Sequence, residues 1–236
     1  MENENKSENK GERKGNNKLA TLIGGLIIIA ASIFIIVMVS NQKPSCEEGK
    51  EFKDGQCVAI REVDTYTFKH DYPDKKNKHF ELTVEVPKAL GYVAKENDTK
   101  IELYRESDRS TISIYAMMAS KNSIAMAEKD YSKSAWKDYK ATENADGSKI
   151  VEVNKIRSDG SIFGVEWSKA FSKVVENYWS GVRVSVMASG LDQGKDSSFD
   201  GKQYKTFAAR DTYESEDYQY MLNSIKVEVT DIPATE

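Results

Sequence analysis

Alternation of apolar and polar residues with a period of two is the strongest pattern in this chain, and it is typical of strands with one buried face. In the segment 79–86 the even positions are apolar and the odd positions are polar, and Pro87, which cannot donate to a neighbouring strand, follows directly. The same alternation recurs at 101–103, 112–118, 151–153, 163–167, 182–188 and 225–229. These segments predict a mainly antiparallel sheet.

Glycine-containing turns separate several of these strands. Ser-Asp-Gly at 158–160 lies between two predicted strands, and Asn-Ala-Asp-Gly at 144–147 precedes the first of them. Glycine tolerates a positive φ, so both segments are typical of hairpin turns. The Gly-, Asp- and Ser-rich segment 189–205 predicts a long loop.

Two segments show the spacing of helices. In 123–139 apolar residues recur every three or four positions, and Ser123 is a candidate N-cap. The second segment, 212–223, begins with Asp211 and Glu214 at the spacing of a capping box. The predicted fold class is therefore α+β, a mainly antiparallel sheet with two helices, formed as one domain by residues 62–230 with a short tail at 231–236.

A single transmembrane helix is predicted before this domain. Residues 19–40 contain no charged side chain, and at about 1.5 Å per residue they span roughly 33 Å. A cleaved signal peptide has a shorter apolar region than this one, and that region ends in a small-residue cleavage site. A buried helix of a soluble protein is the other alternative, but such a helix rarely lacks a polar stripe over this length. The segment therefore predicts an uncleaved signal anchor that holds the chain in a lipid bilayer.

The distribution of basic residues predicts the orientation. The tail 1–18 has no large apolar side chain beyond its first Met, so we expect it to be disordered, and it carries five Lys and Arg. Only three lysines follow within about fifteen residues of the apolar segment, at 43, 50 and 53. We predict a single-pass plasma-membrane protein with a cytoplasmic N-terminus and an extracellular C-terminal domain.

Both cysteines of the chain lie in the linker 41–61. Cys46 and Cys57 enclose a short loop with an Asp-Gly turn just before the second cysteine, which resembles half-modules of secreted proteins and predicts a disulfide worth about 3 kcal/mol. A redox switch or a nucleophilic cysteine is the alternative, but a nucleophile needs an adjacent base and neither histidine lies in a motif that supplies one.

The order of elements resembles the PsbP-like α-β-α sandwich, the fold of an extrinsic photosystem II protein and of bacterial lipoprotein relatives. The resemblance is carried by the strand 80–87 that ends in proline, by the strands at 101–104 and 112–115, and by the closing helix and Ser-Ile-Lys-Val strand at 218–227. It extends over about 65–230. Membership in that family implies a non-catalytic binding or assembly module.

Composition excludes some classes of function. The net charge of −4 argues against a nucleic-acid partner, which requires a basic face. Two Cys and two His are too few for a known zinc framework. The chain lacks G-x-S-x-G, H-E-x-x-H, P-loop, G-x-G-x-x-G and S-x-x-K motifs, so we predict no catalytic residues, no cofactor and no metal site.

Three weaker candidate sites have more ordinary interpretations. The first is a metal site at His70, Asp71, Asp74 and His79, which also fits a solvated turn. Asp192, Asp196 and Asp200 lack the spacing of a calcium loop. The alternative for the three tryptophans, Trp136, Trp167 and Trp179, is a carbohydrate or peptide groove, but aromatic residues on strands more often belong to a core.

Together these patterns predict a membrane-anchored, extracytoplasmic binding or assembly module of a bacterial cell envelope, without enzymatic activity, whose partner is an envelope protein or the wall. A wall-acting hydrolase or envelope sensor is one alternative, and a structural surface protein is the other.

Overall fold

The computed structural model describes residues 46–47, 49–53, 55–73, 77–131, 135–188, 198–199, 202–203 and 205–232. The chain forms two compact units, Met1–Ile60 and Arg61–Glu236. The predicted tail 1–18 and the predicted membrane segment 19–40 lie outside the described residues.

In the first unit, the described residues form a disulfide-closed hairpin. Strands β1 (Lys50–Lys53) and β2 (Gln56–Ala59) pair in antiparallel register. The predicted disulfide between Cys46 and Cys57 is present, with the two Cα atoms 5.5 Å apart. The amide of Ile60 donates to the carbonyl of Gly49 at 2.8 Å, which extends the pairing beyond the strands.

The second unit contains two main antiparallel sheets. The seven-stranded sheet has the order β5-β6-β7-β11-β10-β9-β8, and the three-stranded sheet has the order β14-β4-β3. The strands are β3 (Val63–Tyr72), β4 (Lys78–Pro87), β5 (Val93–Lys95), β6 (Ile101–Arg105), β7 (Ser110–Ala119), β8 (Trp136–Glu143), β9 (Lys149–Ile156), β10 (Ile162–Val175), β11 (Tyr178–Ala188) and β14 (Lys226–Asp231), and a separate two-residue ladder joins β12 (Ser198–Phe199) to β13 (Lys202–Gln203).

Three short α-helices accompany the sheets. They are α1 (Lys121–Ile124), α2 (Ala209–Glu214) and α3 (Glu216–Ser224), with 3-10 turns at Lys88–Leu90 and Glu128–Asp130. Among the residues that the structure describes, no helix is long and apolar enough to cross a membrane.

The main core joins the two sheets and helices α2 and α3 into one hydrophobic cluster. Phe80, Leu82, Val84 and Val86 are the even positions of β4, and all four are buried, as the alternation predicts. They share this cluster with apolar residues of the seven-stranded sheet and with Tyr218, Met221 and Leu222 of α3. One face of the seven-stranded sheet is therefore covered.

A smaller core lies on the opposite face of the seven-stranded sheet. It contains Ile124 and Ala125 at the end of α1, Tyr131, and strand residues including Val151 and Val153. Gly181 of β11 permits this packing, because a Cβ atom there would lie 2.5 Å from Cγ2 of Ile124. The segment 120–131 thus covers part of this face.

The predicted fold class is wrong in its helices. The unit is mainly antiparallel sheet with three short helices rather than two, and no transmembrane helix is found among the described residues. The strands predicted from alternation all form, and Gly160, with a φ of +82°, completes the hairpin turn at 158–160.

The predicted helix 123–139 is wrong in extent and in its cap. Ser120 is the N-cap of α1, since its hydroxyl accepts from the amide of Ser123 at 3.1 Å. The helix ends at Ile124, where Arg183 donates to the carbonyls of Ser123 and Ile124. The apolar residues that follow with this spacing lie in the segment 120–131, which packs on the sheet, and in β8. Their side chains pack in or against the smaller core instead of forming one face of a helix.

The second predicted helix is divided in two. Ser215 ends α2 and is the N-cap of α3: its hydroxyl donates to the carbonyl of Thr212 at 2.7 Å and accepts from the amide of Tyr218 at 3.3 Å. The expected capping box at Asp211 is absent, because α2 begins at Ala209. An uninterrupted apolar pattern therefore spans a break between two helices that the pattern does not reveal.

Candidate functional site

The part of the seven-stranded sheet that segment 120–131 leaves uncovered carries polar side chains. Because successive strand residues point to opposite faces, Ile112 and Ile114 of β7 enter the main core whereas Ser113 and Tyr115 face the other way. Ser185 of β11 lies directly opposite Ser113, and Arg183 lies opposite Tyr115. Strand pairing thus assembles one polar surface.

This surface contains an open cleft of about 500 Å³, which we call the basic cleft. The side chains that define it are Lys100, Ser113, Tyr115, Lys155, Arg183 and Ser185, with Glu166 beside them.

Lys100, which immediately precedes β6, reaches the floor of the basic cleft from one side. Its ammonium donates to the hydroxyls of Ser113 and Tyr115, each at 3.2 Å, and forms an ion pair with Glu102 at 2.5 Å. Burial lowers the pKa of Lys100, but the hydrogen bonds to Glu102 and Tyr115 outweigh that effect and raise the pKa above its ordinary value. Lys100 is therefore a fixed positive charge at neutral pH.

Lys155 of β9 reaches the same floor from the other side. Its ammonium donates to the hydroxyl of Ser185 at 3.0 Å and lies 3.3 Å from a carboxylate oxygen of Glu166. The ammonium also lies 5.1 Å from the centre of the Trp136 ring, at cation-π distance. These contacts hold a flexible side chain in one position.

Glu166 is the buried acidic group of the cleft, with only 6% of its surface exposed. Besides Lys155, it faces the Nε of Arg183 at 3.5 Å. A buried carboxylate is costly unless cations compensate it. The pair of cations around Glu166 therefore leaves the cleft positively charged on balance.

Ser113 and Ser185 each contact a lysine, which superficially resembles a Ser–Lys nucleophile pair. A general base must be unprotonated to accept the proton of a serine. The raised pKa of Lys100 keeps its amine protonated, and Lys155 is engaged by the carboxylate of Glu166 at 3.3 Å, so neither lysine is placed as a free base for the serine that it contacts.

The tryptophans do not form one groove. Trp167 lies in the main core, whereas Trp136 and Trp179 pack against the smaller core. Trp136 meets Tyr131 edge to face at 5.0 Å and, with Tyr139, lines a second open groove of about 480 Å³. The ordinary interpretation, that these aromatics mainly build cores, is confirmed for Trp167.

The candidate metal groups are not assembled in the described part of the chain. His79 pairs with Asp71, with Nδ1 and Oδ1 2.6 Å apart, whereas His70 packs edge to face on Tyr72. Asp74 lies outside the described residues, as do the three aspartates at 192, 196 and 200. Within the described ranges, no three His, Cys, Asp or Glu side chains lie close enough together to hold a metal ion.

Sequence reasoning missed the basic cleft entirely. Lys100, Lys155 and Arg183 come from separate parts of the chain and belong to no spaced motif. The available signal was the polar phase of β7 and β11, whose serines alternate with core residues, but alternation does not say which strands become neighbours.

Comparison with known proteins provides no further assignment. No family model, no curated protein and no solved structure matches this chain. The resemblance to PsbP-like domains stays a prediction, and the basic cleft carries the functional argument.

Proposed function

We propose that this chain is a non-enzymatic binding module of the cell envelope, held at the membrane by the apolar segment 19–40, and that the basic cleft is its ligand site. The observation that carries the proposal is the set of fixed donors in the cleft: two lysines bound to hydroxyls on a rigid sheet. A preorganised polar site on paired strands loses little side-chain entropy when a ligand binds.

The location is supported by two features outside the cleft. The uncharged segment 19–40 is long enough to enter a bilayer. The disulfide between Cys46 and Cys57 suits an oxidising compartment, where such bonds persist. Both features favour an extracytoplasmic domain whose partner is an envelope protein or the wall.

Photo-crosslinking from inside the cleft tests the proposal. Met187 is replaced by benzoylphenylalanine in the full chain, because this side chain lines the cleft and supplies none of its hydrogen-bonding groups. The matched control places the same group at Lys226, an exposed residue on the other sheet. After irradiation of intact cells, we expect a discrete adduct from position 187 that position 226 does not give, and that the Lys155→Gln change weakens.

Equal adducts from both positions, or none from position 187, contradict the proposal. A second assay separates the enzymatic alternative: the full chain in detergent micelles is incubated with purified wall fragments, and the products are followed by mass spectrometry. Turnover that Ser113→Ala or Ser185→Ala abolishes would overturn the non-enzymatic assignment. An adduct formed only between copies of the chain would instead support a structural surface protein.

A further inference from the structure

We infer that the basic cleft recognises a carboxylate, held between Lys100 and Lys155 by the hydroxyls of Ser113, Ser185 and Tyr115. The inference rests on the proposed function, since it takes the cleft to be the ligand site. It is carried by three properties: the direction of the hydroxyl hydrogens, the convergence of the two lysines and the charge of the cleft.

Each of the three hydroxyl oxygens already accepts a hydrogen bond from a lysine. Lys100 donates to Ser113 and Tyr115, and Lys155 donates to Ser185. A hydroxyl has one hydrogen, and an oxygen that accepts from an ammonium directs this hydrogen elsewhere. Among the described residues none of the three hydroxyls donates a hydrogen bond, and both serines are at least nine-tenths buried. Each of these three hydroxyls can therefore donate a hydrogen bond to a bound ligand.

The two lysines converge on one small area. Ser113 and Ser185 are directly opposed residues of β7 and β11, and opposed Cα atoms in an antiparallel pair lie about 4.5 to 5.5 Å apart. Because Lys100 contacts one of these serines and Lys155 contacts the other, their ammonium groups flank a single site. The spacing of the two opposed serines lets one small oxyanion contact both hydroxyls.

The charge balance selects a monoanion. Lys100, Lys155 and Arg183 supply three positive charges, and Glu102 and Glu166 compensate two of them. One positive charge remains, in a chain whose net charge is −4. A local positive site attracts an anion. Most of the remaining surface of this acidic protein repels the anion and therefore does not compete for it. A carboxylate neutralises the site, whereas a phosphate dianion would leave a negative charge.

Saturation-transfer NMR on the full chain in micelles of a non-ionic detergent tests this inference. The probes are N-acetylalanine, which carries a carboxylate, and N-acetylalaninamide, which differs only in lacking the charge. We expect N-acetylalanine to bind at least tenfold more tightly than the amide at low ionic strength, where charge interactions are least screened.

Variants then locate the binding. Lys155→Gln and the double variant Ser113→Ala with Ser185→Ala should each weaken N-acetylalanine binding at least fivefold. Lys69→Gln is the matched control, because Lys69 lies on β3 and loses one charge and one ion pair with Glu81; it should bind like the unmodified chain. The serine variants change no charge, so they keep the test valid if Lys155→Gln fails to fold.

Three outcomes overturn the inference: equal binding of the acid and the amide, an equal loss in Lys69→Gln, or stronger competition by inorganic phosphate than by acetate at equal concentration. If position 187 still gives its specific adduct, the carboxylate assignment falls and the binding module stands. If both the adduct and acid binding are absent, the proposed function falls as well.

Discussion

At the scale of single residues, Glu152 illustrates how one side chain of β9 fastens a helix to the sheet. Its carboxylate accepts from Arg210 of α2 at 2.5 Å and from the hydroxyl of Tyr213 at 2.9 Å. Burial alone would raise the pKa of Glu152, but the hydrogen bonds from Arg210 and Tyr213 outweigh it and lower the pKa. Folding therefore favours the ionised form.

This shift makes a pH-dependent contribution to stability. A group whose pKa is lower in the folded chain stabilises it above the unfolded pKa, and this contribution is lost as the pH falls through the folded pKa. We expect Glu152→Gln to reduce the free energy of unfolding by about 1 to 3 kcal/mol at pH 7, and the difference from the unmodified chain to shrink between about pH 5 and pH 3.

Urea unfolding at several pH values measures both quantities. Glu81→Gln is the control, because its ion pair with Lys69 on the three-stranded sheet is partly exposed to solvent and should be worth less than about 1 kcal/mol. A difference between Glu152→Gln and the unmodified chain that does not change with pH would contradict the assignment.

At the scale of elements, the docking of segment 120–131 decides how much of the sheet face stays open. The α-helical turn of this segment ends beside β11, where Arg183 donates to the carbonyls of Ser123 and Ile124. Lys149 of β9 donates to the next carbonyl, that of Ala125, at 2.9 Å. Ile124 is fully buried over Gly181. The absence of a side chain at Gly181 is therefore a packing requirement.

Gly181→Ala should disturb this contact. The added Cβ would lie 2.5 Å from Ile124 and 2.8 Å from the carbonyl oxygen of Lys169, and we expect a loss of about 1 to 3 kcal/mol. Thermal unfolding followed by circular dichroism should show a melting temperature lower by several degrees. Gly164→Ala, whose Cβ would meet its nearest atoms at 3.0 Å, should cost less.

A double variant isolates the cause. Combining Gly181→Ala with Ile124→Ala removes the closest clash. The stability losses of the two single variants should therefore sum to more than the stability loss of the double variant. Additive losses would show that the segment does not press on Gly181.

At the scale of the whole molecule, the proposed orientation places both cysteines outside the cell. We expect a membrane-impermeant maleimide to label intact cells only after reduction, because Cys46 and Cys57 are joined in a disulfide and no free cysteine is present. Gel-shift analysis of labelled protein measures this. Labelling that appears only after lysis, with or without reductant, would place the domain in the cytoplasm and remove the argument for an envelope partner.

Local patterns predicted the strands well and the helices poorly. Alternation identifies a strand because its period depends only on the pleat, so the burial of Phe80, Leu82, Val84 and Val86 follows from their spacing. A spacing of three or four is less specific: it was produced in 123–139 by a covering segment and an edge strand, and in 212–223 by two helices that meet at Ser215.

The sequence by itself determined the positions of the strands that alternate apolar and polar residues, the hairpin turn at 158–160 and the pairing of the only two cysteines, because each depends on residues close together in the chain. It also determined that the polar positions of β7 and β11 share a face opposite to the core. Only the tertiary structure decided that Lys100, Lys155 and Arg183 meet there, since strand order sets which distant residues become neighbours. The extent of the basic cleft was decided in the same way, because it depends on where segment 120–131 stops covering the sheet.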